Sequence, residues 1–293
     1  MSVGERDKHT GYLTTGHDWN GITELNTPVP RAVYVFFILS FVFSVAYWVL
    51  MPAWPIGTTY TKGLLGLDQR DSVRASLKEA ALERAVWNKQ IETQSFADIQ
   101  ANAQLMAIVR QTGRVLFRDN CAACHGIDAK GGPGFPNLTS GTWLWGGDPQ
   151  AIAETIRVGI NSSHANTRTS QMLAFGRDQM LSSADIGKVA AYVRTLSSPT
   201  AAQDTKPGDV EAGKAIFAAN CVSCHGDDGK GKTDVGGPNL ASGSWIYGGD
   251  LQSIATTIWG GRQGRMPAWE DRMSPLDRKI LALYVVDQGR NAR

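Results

Sequence analysis

Cys121-Ala122-Ala123-Cys124-His125 and Cys221-Val222-Ser223-Cys224-His225 decide how this chain folds, because they are two copies of one pattern and use all four of its cysteines. Two thiols one helical turn apart can add to the two vinyl groups of a haem, and the imidazole of the next residue reaches the iron from the same turn. The pattern therefore implies two covalently bound haems c. Cys121, Cys124, Cys221 and Cys224 are the expected attachment points, and His125 and His225 the expected iron ligands. Four thiolates could instead hold one structural zinc. Zinc pairs, however, do not require a histidine after each second cysteine, and a gap of roughly 100 residues exceeds their usual spacing. A thioredoxin-like redox pair would need a βαβ setting, of which the pattern gives no sign.

Outward from these motifs the chain repeats itself. Gly113-Arg-Val-Leu-Phe117 matches Gly213-Lys-Ala-Ile-Phe217, and Pro136-Asn-Leu138 matches Pro238-Asn-Leu240. Thr142-Trp-Leu-Trp-Gly-Gly-Asp148 matches Ser244-Trp-Ile-Tyr-Gly-Gly-Asp250, and Asp185–Leu196 matches Asp277–Gln288 with Tyr192 opposite Tyr284. Each repeat reads helix, long loop, short helix, loop, helix. Ile186, Val189, Ala190, Val193 and Leu196 form one apolar face of the last helix of the first repeat; Leu276, Ile280, Leu283, Tyr284 and Val285 do so in the second. The repeats show no convincing strand alternation, so two small all-α domains follow, each drawing part of its core from haem.

A second methionine-bearing signal follows the motifs. Met172 lies in Gln171-Met-Leu-Ala-Phe175 and Met266 in Arg265-Met-Pro-Ala-Trp269, 47 and 41 residues after His125 and His225. A histidine and a methionine on opposite faces give a six-coordinate, electron-carrying haem. Met172 and Met266 are thus the expected sixth ligands, although Leu173 replaces the proline that follows Met266. Met180 and Met273 compete, the first reading as incidental and the second as core. His164 could ligate the first haem but has no counterpart in the second repeat. The spacing leaves open which methionine completes which haem.

Before the repeats, Ala32–Met51 runs for twenty residues without a charge, enough to cross a bilayer as a helix. Tyr34, Tyr47, Trp48 and Trp54 flank its ends, where amphipathic rings favour the interface. A buried core helix is the bland alternative, poorly suited to small haem domains; a cleaved signal peptide is disfavoured because 31 residues precede the stretch and no small-residue cleavage site follows. Basic residues on both flanks do not fix its orientation. Covalent haem attachment does, since it belongs to the exported side of bacterial membranes. The N-terminus is expected in the cytoplasm and the haem domains in the periplasm, on the inner membrane. Ser72–Gln90, capped by Ser72, and Phe96–Gln111 read as helices of a structured linker that could also dock on the haem domains or a partner. The expected divisions are residues 1–31 (cytoplasmic), 32–51 (anchor), 52–109 (linker), 110–198 (first haem domain), 199–209 (Ser/Pro/Thr/Ala-rich linker) and 210–293 (second haem domain). A formal charge of +2 over 293 residues gives no sign of nucleic-acid binding. No Ser/His/Asp or paired-carboxylate constellation points to a catalytic residue.

On Gly-x-x-x-Phe, C-x-x-C-H, Pro-Asn-Leu, the methionine loop and the terminal Tyr helix, each repeat resembles a class I cytochrome c domain. That resemblance implies that the first and last helices cross at the glycine and the aromatics. It also implies that the carbonyls of Pro136 and Pro238 accept the Nδ1 protons of the haem histidines. Trp143 and Trp245 either pack on a haem edge, bond a propionate, or simply fill the core. With His17-Asp-Trp-Asn-Gly-Ile-Thr-Glu-Leu-Asn-Thr-Pro28 ahead of the anchor, almost the whole chain is similar to the membrane-anchored dihaem subunit family (CcoP or FixP) of cbb3-type cytochrome c oxidases. This implies a non-catalytic electron-transfer subunit whose partners are a haem-copper catalytic subunit, a monohaem cytochrome subunit and a soluble cytochrome c donor. It favours methionines that cross between the domains. A stand-alone dihaem cytochrome, a dihaem oxidoreductase with an exchangeable ligand, and a regulatory or assembly component are the alternatives.

Overall fold

The computed structural model describes residues 4–198, 200 and 205–291; residues 199 and 201–204 of the expected 199–209 linker lie outside the described residues. The chain divides into two compact units, one ending at Glu83 and the other beginning at Arg84.

In the first unit, β1 (Thr14–Trp19) and β2 (Ile22–Leu25) form an antiparallel hairpin that pairs Trp19 with Ile22. Asn20 (φ 52°) and Gly21 (φ 91°) turn the chain, both in the left-handed region that a two-residue hairpin turn demands. The Gly21 amide donates to Asp18 Oδ1 at 2.6 Å and fixes the turn. Most of the hairpin falls within the His17–Pro28 segment that carries the family resemblance, for which no strands were expected. Its Asn-Gly pair, set between Trp19 and Ile22, is the signal that was there to be used.

Helix α1 (Arg31–Leu50) is long and apolar enough to cross a membrane, and none of its side chains is buried. Beyond it, β3 (Pro55–Ile56) and β4 (Thr59–Tyr60) fold the chain back. The amides of Leu64 and Leu65 then donate to the carbonyls of Val49 and Leu50, at 2.9 and 3.1 Å. These are two of the carbonyls that a helix end leaves without an intrahelical partner.

Helix α2 (Gln69–Thr93) starts a turn earlier than expected. Asp68, not Ser72, caps it, with Oδ1 accepting from the amides of Arg70 and Asp71. The helix expected over Phe96–Gln111 is broken in two, α3 (Phe96–Ala101) and α4 (Ala103–Asn120), because Asn102 is extended and its side chain caps α4 through the amides of Gln104 and Leu105. Val73, Leu77 and Val86 of the expected apolar face are exposed. Trp87, Ile91, Phe96 and Ile99 instead enter the core of the second unit, so this end of the linker packs against a haem domain.

The remaining helices follow the repeat. The first has α4, the single turn α5 (Ala122–His125), α6 (Pro149–Val158) and α7 (Ser183–Ser197). The second has α8 (Pro207–Asn220), α9 (Val222–His225), α10 (Leu251–Gly260) and α11 (Pro275–Asn291). Matching caps start matching helices: Asp148 Oδ1 accepts from the Ala151 amide, and Asp250 Oδ1 from that of Ser253.

The first and last helices do cross at glycine and aromatics, but between the repeats. α11 packs on α4 and α6, while α7 packs on α8 and α10. One core joins Val109 and Phe117 of α4 and Ile152 of α6 to Ile280, Leu281 and Tyr284 of α11. The other joins Ile186, Val189 and Val193 of α7 to Phe217 of α8 and Ile254 of α10. Gly113 faces Tyr284, and Gly213 faces the Lys188 carbonyl and Tyr192, so closely that any Cβ would overlap them. The Phe117–Tyr284 and Tyr192–Phe217 rings lie 5.7 and 5.3 Å apart. The repeats have exchanged their terminal helices.

Candidate functional site

Each C-x-x-C-H motif is a single turn set at the end of a longer helix. The His125 and His225 amides donate to the carbonyls of Cys121 and Cys221, which holds each second thiol and its histidine on one turn. Gly126 (φ 75°) and Gly226 (φ 76°) then reverse the chain in a conformation open to glycine. Further on, the Nδ1 atoms of His125 and His225 lie 3.2 and 3.1 Å from the carbonyls of Pro136 and Pro238, as the family resemblance implied. A carbonyl only accepts, so Nδ1 carries the proton and Nε2 keeps its lone pair free for a metal. Burial lowers the pKa of both histidines, partly offset by the proline contacts, and keeps the rings neutral. Burial, helped by the neighbouring thiol, pushes Cys121 and Cys221 up to about 11.

The methionine loops complete an exchanged arrangement. Met266 and Ile160 trade backbone hydrogen bonds of 2.9 and 2.9 Å, binding the second repeat's methionine loop to the end of α6 in the first. Met172 and Arg262 do the same at 2.8 and 3.2 Å, binding the first repeat's loop to the end of α10 in the second. Gly159 (φ 69°) and Gly261 (φ 67°) permit this: a Cβ at either would strike the backbone of the methionine opposite. Met266 packs against the core that contacts Cys121, and Met172 against the core that contacts Cys221.

All eight expected residues, four cysteines, two histidines and two methionines, line one continuous crevice. The competitors do not. Met180 is exposed and Met273 packs in the first core. His164 accepts at Nδ1 from the Asn166 amide, so its Nε2 donates to Glu270 Oε2 at 2.6 Å, away from the crevice. Trp143 and Trp245 pack against the first and second cores and also border the crevice, with Gly147 and Gly249 beneath their indoles.

The residues fit haem. The described crevice wall is largely apolar and holds no Asp, Glu or Lys, the four thiols are free of disulfides, and each histidine has its iron-facing nitrogen available. Among the described residues no three His, Cys, Asp or Glu side chains converge, as a zinc site would require. Sequence reasoning missed the clasps across the repeats. Arg157 Nη1 and His164 Nε2 both donate to Glu270, and Arg110 makes a two-point contact with Asp287.

Two thiol-anchored histidine turns opening on one apolar crevice mark out a dihaem c-type cytochrome, here with an apolar helix ahead of it. Three family descriptions match along the chain: "N-terminal domain of cytochrome oxidase-cbb3, FixP" over residues 11–58, "Cytochrome c" over 111–197, and "Cytochrome C oxidase, cbb3-type, subunit III" over 208–285. The chain is 47% identical over 288 residues to the cbb3-type cytochrome c oxidase subunit FixP of Bradyrhizobium sp. (strain ORS 278), with 97% of each chain covered. It is 45% identical to the FixP subunit of Bradyrhizobium diazoefficiens over 97% of each, and 40% identical to the CcoP subunit of Azospirillum brasilense over 99% of each. The chain belongs to this FixP/CcoP family of cbb3-type oxidase subunits. It is a membrane-anchored electron-transfer subunit carrying two covalently bound haems c, and it works with other subunits of the oxidase.

Proposed function

We propose that His125 and Met266 would ligate the iron of one haem and His225 and Met172 that of the other, with Cys121/Cys124 and Cys221/Cys224 as the residues that would anchor them. The observation that carries this is the reciprocal Ile160–Met266 backbone pair, mirrored by Met172–Arg262. Each haem, when bound, would supply a one-electron carrier whose potential a methionine ligand would raise. The chain's own part is to fix the imidazole tautomer through Pro136 and Pro238, to hold each methionine loop against the opposite repeat, and to keep water from the apolar crevice.

On this reading the subunit accepts electrons from a soluble cytochrome c and delivers them to a monohaem cytochrome subunit, and so to the haem-copper catalytic subunit. The two haem-bearing repeats, 110–198 and 210–293, lie behind a linker at 52–109 and trade their last helices, so each haem domain is completed by the other repeat. The subunit sits in the bacterial inner membrane with its N-terminus cytoplasmic and its haems periplasmic. Support comes from the apolar helix preceding two covalent haem sites, whose chemistry belongs outside the cytoplasm.

Met266→His and Met172→His test the ligation. Each should lower the potential of one haem, a different one in each variant, with both haems still attached. If neither variant moves a potential in a redox titration, the methionines are not ligands. If Met266→His alters the haem that is lost on removing Cys221 and Cys224, the pairing follows the repeats instead of crossing.

A further inference from the structure

Two arginines occupy equivalent places in the repeats but face different surroundings. Arg262 follows α10, and its Cζ lies 4.3 Å from the centre of the Tyr247 ring. In the first repeat a longer loop intervenes, and the Ile160–Arg168 backbone bridge brings Arg168 to the corresponding spot, 5.2 Å from the Trp145 ring. Trp145 and Tyr247 are themselves matched in the repeated Trp-x-aromatic-Gly-Gly-Asp segment. The aromatic stack is common to both; the use of the guanidinium is not.

Arg168 donates Nη1 and Nη2 to the carbonyls of Trp145 and Ala151, at 3.2 and 3.1 Å, keeps a buried Nε without a partner, and stands outside the crevice wall. Arg262 lines the crevice. Its Nε and Nη2 are steadied by a single hydroxyl, Thr257 Oγ1, at 3.1 and 2.9 Å. Among the described residues no carboxylate pairs with Arg262, and the described wall around it contains no acidic side chain. The wall's other cation, Arg265, is exposed. A half-buried guanidinium, stacked and held yet without a counter-charge, is costly unless an anion completes it. Haem brings two carboxylates into the same crevice.

We propose that Arg262, held by Tyr247 and Thr257, receives a propionate of the haem anchored at Cys221 and Cys224. The proposal rests on the axial ligation given above. Arg262 belongs to that haem's side because its backbone is paired with Met172 and its stacking partner and hydroxyl come from the same repeat as Cys221. Oxidation adds a positive charge at the iron, and an uncompensated propionate stabilises that charge. Neutralising the propionate with Arg262 removes this stabilisation and raises the potential. Arg168 lies outside the crevice wall, so the other haem lacks the same compensation. The two potentials are thereby set apart by one side chain.

The test is a redox titration of the purified holoprotein with Arg262→Gln and Arg262→Lys. In Arg262→Gln the haem whose potential also responds to Met172→His should become about tenfold harder to reduce, ~59 mV for one electron. The other haem should not move, and Arg262→Lys should recover most of the loss. No shift in Arg262→Gln overturns the proposal, as does a shift confined to the other haem. An equal shift in both variants assigns Arg262 to packing and also overturns it. Failure of Met172→His to move any potential instead refutes the ligation, which Arg262→Gln does not touch.

Discussion

Gly113 and Tyr284 touch: a Cβ built on the glycine would sit 2.6 Å from that of the tyrosine. The contact joins the first helix of one repeat to the last helix of the other. Gly213 meets the Lys188 carbonyl and Tyr192 in the mirrored crossing.

Alanine at either glycine should therefore separate the crossing helices. Overpacking of this kind costs typically ~1–3 kcal/mol. Gly213→Ala should be the more damaging, since it meets a backbone carbonyl that cannot swing aside. Thermal unfolding of the holoprotein measures both, and an alanine at Gly213 that leaves the midpoint unchanged would contradict the crossing.

Cutting the chain between the repeats should not yield two independent cytochromes. A product ending at Ser198 leaves α4 and α6 without α11, and exposes the apolar face of α7. Each half alone should be protease-sensitive, whereas the two produced together should co-purify and regain resistance. Two halves that are each resistant alone would refute the exchange.

Removing Cys121 and Cys124 should leave one haem on the denatured chain, measured by haem staining. Because α11 completes the core beside Cys121 and α7 the core beside Cys221, that variant should also lose thermal stability beyond its own site. A second haem with unaltered spectrum and an unaltered melting midpoint would show the sites to be independent.

Glu270 ties the Met266 loop to the first repeat. The hydrogen bond from His164, followed by that from Arg157, holds its carboxyl at about 2 against an ordinary 4.5. A lowered folded value means a contribution complete above pH 4.5 and lost as pH falls towards 2. Glu270→Gln should thus melt earlier than the parent at neutral pH, with the gap closing over that acid range. A gap that is constant from pH 6 to pH 2 would contradict the clasp.

Deleting residues 17–28 should weaken retention of the subunit in the oxidase while leaving both haems attached. Co-purification with the catalytic subunit reads this directly. Unchanged retention would leave the hairpin without a part in assembly.

The cysteines and histidines could be read from C-x-x-C-H itself and the methionine loops from the repeat around it, although those loops lie 47 and 41 residues beyond the histidines; the Pro–His contacts were implied by the family resemblance alone. The exchange could not. Gly113 and Gly213 each precede a Phe by four, and Tyr192 and Tyr284 occupy matching places, so either pairing of helices satisfies the same pattern. The resemblance favoured crossed methionines, but only packing shows that whole helices cross with them. Asn102 escaped notice because apolar periodicity runs on through it, while its side chain prefers capping to continuing a helix. The clasps at Glu270 and Asp287 join residues more than a hundred positions apart, beyond the reach of any local pattern.

The exchange also imposes an order of events on synthesis. His125 emerges roughly 140 residues before Met266 and before the helix that covers its core. Until the last helix arrives, the first cysteine pair stands on an open cradle, accessible to whatever delivers haem and joins it to the thiols. Final closure waits on α11, so a product truncated before that helix cannot imitate a finished one.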